Sequence, residues 1–265
     1  MLYYPQLTSG SISQYPVSRK NRRRTVINAL ADGSELSTED PGAAEVVWEM
    51  TYTHLTTAEI MTIEQLFEAV EGRLDTFTFL DPTDNLLSWS EDLSKSAWSS
   101  DPLIQIQGGV QDPIGLTGAA NVTNTAQTAQ QFGQSVPVAS WFQYCFSVYL
   151  RADVPCDVQI IGSSQSNQSR RPFNVGPSWK RAIVPVLLPS REDSLYTALE
   201  LPPGCRVSLF APQLEPQPGA GSYKRTTDVT GVYPVTRFDD DDFTYRTTGP
   251  DQHSCSVRVK SCVAG

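Results

Sequence analysis

From Asn85 to about Asp228 the chain offers no amphipathic helix of useful length, and that absence constrains the fold most. The stretch carries apolar runs at Gln143–Arg151, Val158–Ile161, Arg181–Leu188, Tyr196–Leu201 and Arg206–Ala211, separated by Pro, Gly, Ser and Asn. Proline, 19 of 265 residues, removes backbone donors and breaks long helices. Many short strands joined by turns predict a β-sandwich or jelly roll, and about 140 residues suit one such domain.

The flanks read differently. Thr25-Val26-Ile27 is strand-like, Asp32-Gly33 is a turn, and residues 46–53 alternate with Trp48, Met50 and Tyr52 on one face. Thr56-Thr57-Ala58-Glu59 spells a capping box, and Ile60, Ile63, Phe67 and Val70 form a helical stripe that Gly72 ends. Thr76–Leu80 is a further strand, closed by Asp81-Pro82. After Tyr233–Phe238 and the acidic run Asp239–Asp242, the strand-like segments 243–246 and 256–260 are too few to bury a core alone. They are expected to dock on the N-terminal strands. The expected domains are therefore 1–82 with 231–265, and an insertion at 85–228.

Charge and motifs narrow the function. Twenty Lys and Arg against 29 Asp and Glu give a net charge of −9, which disfavours nucleic acid as a partner. No apolar run spans a bilayer, and Met1–Pro5 lacks the basic head and apolar stretch of a signal peptide, so no membrane contact is expected. The five cysteines form no C-x-x-C pair and read as buried free thiols. With two histidines and no nucleophile, zinc-protease or P-loop motif, no catalytic residue, metal or cofactor is assigned and the chain is read as a non-enzyme.

The remaining candidates concern binding. Arg19, Lys20, Arg22, Arg23 and Arg24 form a basic run expected to meet an acidic surface on a neighbouring subunit or else to stand solvated. The Asp239–Asp242 run lacks EF-hand spacing and reads as a solvated turn or an ion-pair partner for arginines. Trp89, Trp98, Trp141 and Trp179 all lie in the middle segment. A sugar stacks on an exposed aromatic face, and Trp98, set in the polar stretch Ser94–Asp101, is the expected plate. Gln165, Asn167 and Arg170 of the polar segment Ser163–Arg171 are its expected hydrogen-bonding partners.

Two resemblances bear on these residues. Tyr15-Pro16-Val17, Trp48-x-x-x-Tyr52-x-x-Leu55-Thr56, the Glu59–Phe67 helix, Phe77–Pro82 and Val235–Asp239 resemble the ring-forming domain of phage distal tail and minor tail proteins. That resemblance implies a split β-barrel with one α-helix, in a ring (hexameric in the family) around the tail channel. It also implies tail-tube and hub proteins as partners and a virion location after synthesis in the host cytoplasm. Asn85-Leu86-Leu87-x-Trp89-Ser90, Ser96-Ala97-Trp98, Tyr144–Arg151, Trp179-Lys180-Arg181, Ala211–Glu215 and Ser222–Thr227 are similar to jelly-roll, carbohydrate-binding-like modules of phage tails and adhesins. This implies an inserted β-sandwich that meets host surface glycans. A receptor-binding adhesin and a glycan-cleaving tail enzyme are the alternative readings.

Overall fold

The computed structural model describes residues 2–188 and 192–262. In chain order the elements are β1 (Val17–Ala29), β2 (Glu35–Leu55), α1 (Thr57–Ala69), β3 (Phe77–Leu80), β4 (Ser99–Ser100), β5 (Ile104–Val110), β6 (Ala119–Asn124), β7 (Gln130–Pro137) and β8 (Gln143–Arg151). Then follow β9 (Cys156–Ser163), β10 (Gln168–Val175), β11 (Lys180–Leu187), β12 (Ser194–Leu201), β13 (Arg206–Glu215), β14 (Val232–Phe238), β15 (Tyr245–Gly249) and β16 (Gln252–Cys262). The fold is mainly β with one helix among the described residues. The chain forms two compact units: Met1–Leu80 with Val232–Gly265, and Asp81–Gly231.

The first unit is a six-stranded antiparallel sheet in the order β1-β2-β16-β14-β3, with β15 beside β16. Alternation on β2 buries Trp48, Met50 and Tyr52 completely and leaves Glu49 and Thr51 in solvent. β16 sits between β2 and β14, so the short C-terminal strands fill the middle of a sheet begun by N-terminal ones. The described strands form an open sheet, not a closed barrel, with β1 and β3 at its two ends. The helix starts as its sequence dictates. Thr56 Oγ1 accepts from the Glu59 amide at 3.3 Å, and Glu59 Oε2 accepts from the Thr56 amide at 2.9 Å. Ile60, Ile63, Leu66 and Val70 are buried, whereas Phe67 is half-buried, its ring 5.1 Å from that of Phe238 and 5.6 Å from Phe243. Leu66 therefore takes the central place that the spacing gives to Phe67.

Beyond Glu45, β2 is paired with β1 alone among the described residues, and residues 18–39 are exposed throughout. This two-stranded arm turns at Asp32-Gly33, where Gly33 has φ 83° and Asp32 Oδ1 accepts from the Ser34 amide at 2.9 Å. Pairing sets the basic run of β1 opposite the acidic part of β2. Arg22 meets Glu45 at 3.6 Å, Arg23 meets Glu39 at 3.1 Å and Arg24 meets Asp40 at 3.6 Å. Arg19 donates to the Tyr233 hydroxyl at 2.7 Å, and Lys20 stands exposed opposite Val47. The acidic partner expected on another subunit is thus supplied to Arg22, Arg23 and Arg24 by their own hairpin. The Asp239–Asp242 run is also engaged: Asp239 pairs with Lys260 at 2.9 Å, Asp240 takes two donors of Arg258, and Asp241 lies 3.9 Å from Arg73.

The second unit is a sandwich of two five-stranded antiparallel sheets, β10-β9-β12-β7-β4 and β11-β8-β13-β6-β5. Gly162 on β9 shows how closely the sheets face: a Cβ there would stand 2.9 Å from Val186 of β11. The sequence hides β5 and β10 because they are edge strands that bury little, so neither carries an apolar alternation.

Residues that carry the second resemblance form a buried polar lock in this unit. The fully buried Asn85 donates through Nδ2 to the carbonyls of Pro212 (3.0 Å) and Lys224 (3.3 Å), and its Oδ1 accepts from the amides of Leu87 and Leu214, both at 3.0 Å. Gln213 Oε1 accepts from the Lys224 amide at 2.7 Å, and Thr226 donates to the Leu87 carbonyl at 2.6 Å. Ser90 Oγ accepts from the Thr226 amide at 2.9 Å. These polar positions join the first and last segments of the unit to β13, a structural task that needs no ligand.

Candidate functional site

At one end of the sandwich, the β7–β8 and β9–β10 turns and the residues leading into β12 come together. The base of the β7–β8 turn is pinned at successive positions. The Val138 amide donates to the Asp193 carbonyl at 3.2 Å, and the Ala139 amide donates to the Tyr144 hydroxyl at 2.8 Å. Ser140 Oγ donates to the Glu192 carbonyl at 2.8 Å and accepts from the Glu192 amide at 3.0 Å. On the far side of the turn the Leu188 amide donates to the Phe142 carbonyl at 3.2 Å.

Glu192 links this turn to the polar one. Its side chain is buried, and its two oxygens accept from the Gln165 amide at 2.9 Å, the Ser166 amide at 3.2 Å and the Ser166 hydroxyl. Gln165 Nε2 donates to Asp193 Oδ1 at 3.0 Å, and the Asn167 carbonyl accepts from the Ser164 amide at 2.8 Å to close the β9–β10 turn. A buried carboxylate held by main-chain amides fixes backbone position strongly.

Trp141 stands on this frame. It is 67 % exposed and has φ 67°, a conformation that a large side chain adopts only at a cost. Neither core packing nor backbone preference selects tryptophan at such a position. A solvent-facing indole on a pinned turn is suited chemically to stacking on the C–H face of a sugar ring, and Gln165 and Asn167, both exposed, lie on the polar turn that Glu192 ties to it.

Trp98, the expected plate, lies elsewhere. It is buried, lies flat on Phe132 with ring centroids 5.2 Å apart and planes at 16°, and donates from Nε1 to the Trp89 carbonyl at 3.1 Å. The polar composition around it misleads because the indole N–H is satisfied by a main-chain carbonyl, which lets the ring go inside. Of the three polar candidates, Gln165 and Asn167 belong to the loop end. Arg170 lies on β10 and is committed to Glu200 at 2.5 Å. Trp89 and Trp179 are half-buried under Lys95 (4.7 Å) and Arg151 (5.5 Å) respectively. The sequence signal for Trp141 is its setting, Ala139-Ser140-Trp141, a turn between two apolar strands with a tryptophan in it.

No family model and no curated protein matches the chain. Among solved structures it is similar to a protein described as CBM4, with a TM-score of 0.34 and 16% identity over 43% of this chain and 86% of that one. It is also similar to the CBM22-1 xylan-binding domain from Paenibacillus barcinonensis Xyn10C, with a TM-score of 0.41 and 9% identity over 56% of this chain and 98% of that one. A third likeness is to the enzymatically active domain of bacteriophage CBA120 tailspike protein 4, with a TM-score of 0.40 and 10% identity over 52% of this chain and 22% of that one. At these TM-scores the likenesses carry no functional argument.

Proposed function

We propose that this chain is a non-enzymatic structural component of a phage tail tip whose β-sandwich binds host-surface glycans at the loop end bearing Trp141. The observation that carries the glycan half is Trp141 itself, exposed, left-handed in backbone and anchored through its neighbours on both sides. Stacking with a few exposed hydrogen bonds gives a Kd near 1 mM, about −4 kcal/mol. Display on a ring of identical subunits raises that by avidity.

Binding is favoured over cleavage by the state of the nearby acids. Glycoside hydrolysis needs two available carboxyl groups. At this loop end Glu192 is occupied by the amides of Gln165 and Ser166, and Asp193 by the Gln165 side chain. The assembly half rests on the resemblance of the first unit to tail ring domains, and the exposed arm supports it. Its β1 is an edge strand with Val26 and Ile27 in solvent, a surface that a second copy of the chain would cover. Negative-stain microscopy of the purified chain tests the ring, and retention of the chain on immobilised host-envelope polysaccharide tests the glycan contact. Retention that survives Trp141→Ala, or no retention at all, would remove the glycan half. A strictly monomeric chain would leave the adhesin reading.

A further inference from the structure

The end of the sandwich opposite Trp141 holds two cysteines with no part in the reading above. β8 runs away from the Trp141 turn, and β9 returns from Cys156 toward it, so Cys156 lies at the far end. Cys205 sits there too, in the turn before β13. Their sulfurs lie 2.6 Å apart, although 49 positions separate them in sequence. Cys156 is half-buried and Cys205 buried, and both line a cleft of about 470 Å³ that also takes in Pro202, Pro203 and Asp153. The Cys205 carbonyl accepts from the Asn124 amide at 2.9 Å and its amide donates to the Pro202 carbonyl at 3.2 Å, so the turn is held.

We propose that Cys156 and Cys205 are an oxidisable pair that closes into a disulfide, joining the β9 sheet to the start of β13 in the facing sheet. The oxidant is a small-molecule disulfide admitted by the cleft. Cys156, the more exposed thiol, gives up its proton and its sulfur attacks the small disulfide, expelling one thiolate and leaving a mixed disulfide. Cys205 then gives up its proton and attacks Cys156 Sγ, expelling the second thiolate. Two protein thiols become one protein disulfide, one small disulfide becomes two thiols, and the two protons pass to the two leaving thiolates. Burial, then the neighbouring Cys156, pushes the Cys205 thiol well above its ordinary range, which leaves the first attack to the more exposed Cys156. Cys145 and Cys255 are buried and do not lie on this cleft, and Cys262 is exposed in the other unit. A chain made in a reducing cytosol would carry the open pair and close it on reaching an oxidising exterior.

The test uses the full chain, incubated with oxidised glutathione or with dithiothreitol, then unfolded for thiol counting and peptide mapping. The five thiols should fall by two, the map should contain one linked peptide joining Cys156 to Cys205, and Tm should rise by roughly 5–15 °C. Cys156→Ser and Cys205→Ser should each abolish the Tm rise, and Cys262→Ser should keep both the thiol loss and the rise. Five thiols remaining after oxidation, or a linkage through Cys145, Cys255 or Cys262, would overturn the proposal. The wild-type peptide map decides the matter even where a serine variant fails to fold.

Discussion

Ser140 and Glu192 hold each other by two hydrogen bonds, hydroxyl to carbonyl at 2.8 Å and amide to hydroxyl at 3.0 Å, and thereby bind the Trp141 turn to the buried carboxylate that organises Gln165 and Ser166. One acid thus sets the positions of two turns that are distant in sequence. The turn that carries the proposed plate and the turn that carries its polar neighbours are thereby tied together, which lowers the ordering cost of binding.

If tryptophan is kept at 141 for a ligand and not for stability, replacing it should be harmless to the fold. Trp141→Gly removes an exposed ring and relieves the left-handed backbone. Urea unfolding should show a change between about 0 and +1 kcal/mol in favour of the variant. A loss above about 1 kcal/mol would assign the ring to packing.

Glu192→Ala should be felt at both turns. It removes the carboxylate that holds the part-buried amides of Gln165 and Ser166, two charge-assisted bonds together worth about 1–3 kcal/mol. Hydrogen exchange should quicken at residues 164–167 while the β8–β13 ladder stays protected. Uniform loss of protection across the sandwich would mean that Glu192 supports the whole unit and not the loop end.

Asn85 serves the fold alone. Asn85→Ala leaves two carbonyls and two amides without partners in a fully buried site and should cost at least about 3 kcal/mol. Asn85→Asp should do no better, because its carboxylate would face the Pro212 and Lys224 carbonyls that now accept hydrogen bonds. Urea midpoints of the two variants, with the slope unchanged, check this.

The arm makes a salt prediction. Its ion pairs are exposed and internal, each worth about 0–1 kcal/mol, so changing Arg22, Arg23 and Arg24 to Ser should move Tm little. Assembly should be lost on Ile27→Glu and should survive about 1 M salt, where exposed charges are screened within about 3 Å. Sedimentation velocity reads both. Dissociation by salt with no effect of Ile27→Glu would return the contact to the arginines.

Strands and helix were legible where burial is one-sided. β2 and α1 announce themselves because each lays an apolar face on a core, β8 stands out instead as a run buried on both faces over residues 144–148, and the Thr56–Glu59 box marks a helix start by local chemistry alone. β5 and β10 are illegible because edge strands need no such face. The site was half legible for the same reason. Gln165 and Asn167 stand out as a polar turn, but the choice between Trp98 and Trp141 depends on which indole finds a carbonyl and a ring to lie on. Phe132 and the Trp89 carbonyl, which bury Trp98, lie 34 and 9 positions away from it in sequence. The pairing of Arg22–Arg24 with residues 39–45 likewise follows from hairpin register, which the turn at Asp32-Gly33 hints at but a bulge between Arg22 and Arg24 alters.

Saturation-transfer NMR on the full chain, against a panel of soluble oligosaccharides from bacterial walls and capsules at up to about 10 mM, tests the central claim most directly. At least one glycan should receive magnetisation through its ring C–H protons, with the indole resonances of one tryptophan shifting on titration. Both effects should vanish in Trp141→Ala and persist in Trp98→Phe. Transfer to no glycan at that concentration, or transfer undiminished in Trp141→Ala, would contradict the account.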